Sequence, residues 1–139
     1  MKKILFFLSL TALLITACND DNVNSTTTTP AGISGKWNLV NQSGGFQGHS
    51  LEFETGKVVW TFNSEDEIVA IENNSDVTDG INFPTAIYNY SMITNEVSPE
   101  SCDKTLNIHT VDLGCTNIEG NIMIITPTGA DMYTLTFKR

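Results

Sequence analysis

The stretch LEFETGKVVWTFNSE, residues 51–65, decides the fold class. Leu51 and Phe53 alternate with Glu52 and Glu54. Beyond Thr55-Gly56, the residues Val58, Trp60 and Phe62 share one face, with Lys57, Thr61 and Asn63 on the other. An apolar period of two belongs to a half-buried antiparallel strand, because successive side chains leave a strand on opposite faces. A helix would repeat every 3.6 residues, and no segment of this chain carries such a stripe. Ser64-Glu65-Asp66 interrupts the run, and residues 67–73 are expected to form another short strand.

The same period extends outward in both directions. Upstream, Trp37 and Leu39 alternate with Lys36 and Asn38. Downstream, Ala86, Tyr88, Tyr90 and Met92 form one face, followed by Leu106 and Ile108, then Val111, Leu113 and Cys115. Residues 122–126 and 132–138 are strands joined by Pro127-Thr128-Gly129-Ala130-Asp131, a turn by composition. Between Asn73 and Pro84 the chain is rich in Asn, Asp, Ser and Gly and is expected to be a long loop. The spacing predicts about eight strands in meander order, which either form a sandwich or close into an up-and-down barrel. Closure removes exposed edges, and eight strands leave an interior that side chains or one small ligand can fill.

The N-terminus reads differently. Met1-Lys2-Lys3 is a charged start, Ile4 to Ile15 is an apolar run, and Thr16-Ala17 are small. That is the order of an export signal, and the run is shorter than the roughly 20 apolar residues a membrane-spanning helix needs. Ile15-Thr16-Ala17-Cys18 resembles the lipobox of bacterial lipoproteins, which implies removal of residues 1–17 and acylation of Cys18. Residues 19–31, NDDNVNSTTTTPA, hold almost no apolar side chain. They are expected to be a disordered tether, because nothing there offsets the entropy of ordering. Three segments follow: a signal over 1–17, a lipidated cysteine and tether over 18–31, and one domain over 32–139.

Composition narrows the partners. Beyond residue 17 five cations (Lys36, Lys57, Lys104, Lys138, Arg139) stand against 16 acids, a net charge of −11. The cations are scattered, so nucleic acid is not an expected partner, and anionic lipid would be repelled. Membrane contact is then left to the anchor. Lipidation uses Cys18 and leaves Cys102 and Cys115 as an even pair, which outside the cytoplasm implies a disulfide. A metal site would need more ligands than the isolated His49 and His109, and no metal or cofactor is expected.

Gly35-Lys36-Trp37 at the start of the domain resembles the G-x-W signature of lipocalins. With Phe53-Glu54-Thr55-Gly56-Lys57 and the closing Tyr133-Thr134-Leu135-Thr136-Phe137-Lys138-Arg139, the chain is similar to the small lipocalin-like domains of Bacteroidetes-type lipoproteins. The resemblance covers residues 32–139 and implies a calycin-type barrel. It also implies that Trp37 packs at the closed end under Arg139. The T-D-Y-type second motif of lipocalins is missing. Asn19-Asp20-Asp21 resembles the short acidic signals after the lipidated cysteine in surface-exposed lipoproteins of that group, which implies outer-membrane anchoring on the periplasmic or the cell-surface side, with the surface favoured.

For chemistry, His109 and Thr110 are neighbours on an expected strand and point apart, so they do not build a triad. Glu52 and Glu54 share a face, but it is the solvent face. The chain is therefore read as a binding protein, not an enzyme. The first expectation is a barrel holding a small apolar or amphipathic ligand, with Trp60, Phe62, Tyr88 and Tyr90 as candidate lining. The second is a filled barrel acting as a protein-interaction or inhibitor module through loops such as Asn73–Pro84.

Overall fold

A computed structural model describes residues 32–78, 80, 82–94 and 102–139. Cys18, the export signal and the tether lie outside the described residues. The described part is all-β. Its strands are β1 (Gly35–Gly44), β2 (His49–Glu52), β3 (Val58–Asn63), β4 (Ile68–Asn73), β5 (Ala86–Thr94), β6 (Lys104–Ile108), β7 (Val111–Glu119), β8 (Ile122–Thr126) and β9 (Tyr133–Lys138).

Every pairing is antiparallel, and the β1–β9 pair closes the sheet into a ring. The ring contains eight strands, β1 and β3 to β9, and β2 lies outside it. The segment around Thr55-Gly56 therefore does not close a hairpin between its flanking strands, as the sequence pattern suggested. Instead β2 and β3 share one edge of the long β1. Asn41–Gly44 pair with β2, and Gly35–Asn38 pair with β3. Asn38 marks the handover, its Oδ1 accepting the Gly56 amide at 3.1 Å. The upper part of β1, with β2 and β9 on either side, thus forms a three-stranded apron above the ring.

Alternation places the core. Trp37, Leu39, Trp60, Phe62, Val69, Ile71, Leu106, Ile108, Leu113, Met123, Ile125, Leu135 and Phe137 are buried inside the ring. A bulge between Leu39 and Asn41 shifts the phase of β1, so the next inward residue is Gln42, only 1% exposed, while Val40 is half-buried. Cys102 and Cys115 form a disulfide with Cα atoms 5.5 Å apart, tying the approach to β6 onto β7. Constraining that short loop in the unfolded chain contributes about 3 kcal/mol.

Candidate functional site

The barrel has two unlike ends. The end where the described chain begins also carries the turns before β4 and β8 and the C-terminus. There the Arg139 guanidinium carbon lies 4.3 Å from the centre of the Trp37 ring. The guanidinium donates from Nη1 to the Gly32 and Ser34 carbonyls at 3.3 and 3.2 Å, and from Nη2 to the Gly120 carbonyl at 3.0 Å. Trp37 Nε1 donates to the Ile33 carbonyl at 2.7 Å. A cation on an aromatic face contributes about 0.5–2 kcal/mol, and here it also joins the first and last residues of the domain. Beside this closure lies a cleft of about 300 Å³ lined by Ile33, Met92, Thr116 and Ile118, with Asp103 and Lys104 at its rim.

At the opposite end, residues 74–78, 80 and 82–85 fold over the mouth. Asn73 organises them. Its side-chain amide donates to Asn82 Oδ1 and the Phe83 carbonyl, while its Oδ1 accepts from the backbone and hydroxyl of Ser75. Gly80, at φ +87°, comes so close to Gln42 that any Cβ there would run into the Gln42 amide. Phe83 inserts edge-on against Trp60, centroids 5.7 Å apart, and against Tyr88 at 5.4 Å. The space left between Leu39, Gln42, Phe53, Trp60 and Phe83 measures about 10 Å³, room for one water at most.

The four aromatics expected to line a ligand site thus make a continuous stack. Trp60 meets Phe137 at 4.7 Å and Phe62 at 6.1 Å, and Phe62 meets Tyr90 edge-on at 5.0 Å. Tyr88 joins through Phe83 and donates its hydroxyl to the Pro84 carbonyl at 3.0 Å. Such pairs contribute about 0.5–1.5 kcal/mol each beyond the area they bury. Burial and the nearby Glu67 carboxylate push the Tyr90 phenol above its usual range. Glu52 and Glu54 are exposed, and so is His109, which occupies the turn between β6 and β7. His49 faces Gln47 across 2.8 Å.

Sequence reasoning missed the residue that stands out most. Phe46, at the tip of the β1–β2 hairpin, is 87% exposed. Positive φ angles at Gly44, Gly45 and Gly48 bend the tip, a conformation glycine adopts without strain. Tyr133 lies against Gly45, where a Cβ would strike its ring. Across the apron the register aligns His49, Gly44 and Tyr133, and a Cβ on Gly44 would strike the Met132 carbonyl. Phe46, Gln47, His49 and Tyr133 line a groove of about 320 Å³ there. Met132, 41% exposed, extends the apolar surface, and its carbonyl accepts the Gly45 amide at 3.1 Å. The sequence signal was an aromatic held between glycines in a turn, GGFQG.

No protein-family model, curated protein or solved structure matches this chain. Fold and site together define an eight-stranded closed barrel with a filled upper interior and an aromatic-tipped apron.

Proposed function

We propose that residues 18–139 are the mature form of an outer-membrane lipoprotein of lipocalin-like type, anchored through Cys18 and displayed at the cell surface. It binds another extracytoplasmic protein through the apron and loops at the end remote from its tether. One observation carries this reading: the space beneath the loop at this mouth is about 10 Å³, whereas Phe46 is held out in solvent on a glycine-bent tip. Ligand pockets usually measure about 300–1,000 Å³, and an exposed, rigidly held aromatic is a common anchor at protein interfaces. The acidic domain adds no membrane affinity of its own, which leaves attachment to the acyl chains.

Photo-crosslinking in cells tests the reading. A photoreactive residue at Phe46 should give a discrete protein adduct, and the same residue at Lys36, on the opposite end, should not. Metabolic labelling with an alkyne fatty acid should mark the wild type and not Cys18→Ala. Absence of any adduct at Phe46 would remove the rim from consideration.

A second reading has its own support in the cleft of about 300 Å³ beside Ile33 and Met92. Its mixed lining, apolar at Ile33, Met92 and Ile118 and polar at Asp103, Lys104, Thr116 and Asn117, suits a small amphipathic molecule. Native mass spectrometry should then find a co-purifying ligand that Met92→Trp displaces.

A further inference from the structure

We infer that the outer edge of β2 is a strand-addition site for an extended, cationic segment of another protein, whose apolar side chain seats beside Phe46. The inference rests on the rim reading above and specifies its partner.

The edge follows from the ladder. The Phe53 amide donates to the Val40 carbonyl at 3.0 Å, which makes that pair hydrogen-bonded. Alternation along an antiparallel ladder then points the amides and carbonyls of Leu51 and His49 toward β1. Those of Ser50 and Glu52 point away from it. Among the described residues no strand pairs with that side of β2. An exposed row of backbone donors and acceptors is a template for an added strand, and natural barrels seldom leave one open. A strand added there continues the apron, and its inward side chains lie beside His49, next to the groove formed with Phe46 and Tyr133.

Charge selects the occupant. The end bearing the apron carries Glu52, Glu54, Glu72, Asp76, Asp112 and Asp131, against Lys57 alone among the described residues. The opposite end is nearly balanced, with Lys36, Lys104, Lys138 and Arg139 set against five described acids. A second copy pairing β2 to β2 would bring two acidic apron ends together, and like charges brought side by side at a sheet edge destabilise. A cationic segment meets the opposite sign, so recognition should weaken as salt rises.

The probe is a synthetic peptide alternating Lys with Val around one central Leu, added to the anchored protein in neutral detergent micelles. Amide shifts should concentrate in residues 44–53 and 131–135, and affinity should fall several-fold between low and physiological salt. Phe46→Ala should weaken binding about tenfold with an unchanged melting temperature. Methylating alternate peptide nitrogens should abolish binding, because it removes ladder donors and keeps every side chain. No binding, shifts on another face, or indifference to N-methylation would each overturn the inference. Should the Phe46 cross-linker capture a partner through a segment that is helical or acidic, the rim reading survives and this inference fails. If no partner is captured, the rim reading is what fails.

Discussion

The two ends of this barrel spend apolar surface in opposite ways. At the end where the described chain begins, Trp37 is fully buried and covered by Arg139, whose guanidinium ties three backbone carbonyls together. At the apron end, Phe46 is left in water while a polar side chain, Gln42, is sealed inside. A domain selected for stability alone would bury the phenylalanine and expose the glutamine. The difference teaches that the closed end holds the fold together and that the apron end is free to serve something else.

The largest expected effect lies at the closed end. Trp37→Ala removes the indole under Arg139 and should cost about 3–5 kcal/mol, read as a fall in the denaturant midpoint. A cost below 1 kcal/mol would mean that the closure is not what holds the ring. Next is the plug at the other mouth. Gly80→Ala forces a Cβ onto the Gln42 amide at a positive φ, and a loss of about 1–3 kcal/mol is expected in the same assay. A neutral result would make the plug a loose cover.

The third prediction concerns pH. Because burial and Glu67 raise the Tyr90 phenol, the folded state binds its proton more tightly than the unfolded state. This contribution is complete below the unfolded value of about 10 and is lost as pH rises through the higher folded value. Thermal melts should therefore fall more steeply above pH ~10 for wild type than for Tyr90→Phe. Parallel curves would remove Tyr90 from the alkaline response. The smallest effect belongs to Phe46→Ala, which should change stability by less than about 0.5 kcal/mol. A larger loss would make Phe46 a structural residue and erase the contrast between the ends.

Much of the fold was legible because it is written in period-two alternation. Val58, Trp60 and Phe62, and likewise Tyr133, Leu135 and Phe137, each occupy a strand whose inward face the pattern names. The count of eight was right for the ring, but the segment around Leu51 is the ninth strand and stays outside it. Alternation gives a strand's faces and not its partner, so the sequence could not say that β2 and β3 both lie on β1. It also could not locate the bulge after Leu39, which turns Gln42 inward where strict alternation would place Asn41. The loop before Pro84 was recognised by composition, yet its fold over the mouth depends on Asn73 reaching Asn82 and Phe83 across the loop and on Phe83 meeting Trp60 on β3.

By itself, then, the sequence determined an all-β domain with a disulfide, because strand periodicity and cysteine pairing are properties of residue types and their spacing. Only the tertiary structure decided that, among the described residues, little space is left beneath the loop at the apron end, β2 keeps a free edge, and Phe46 stands out in solvent. Those depend on which side chains arrive at the same place from distant strands, and volume left over between them is not encoded at any single position.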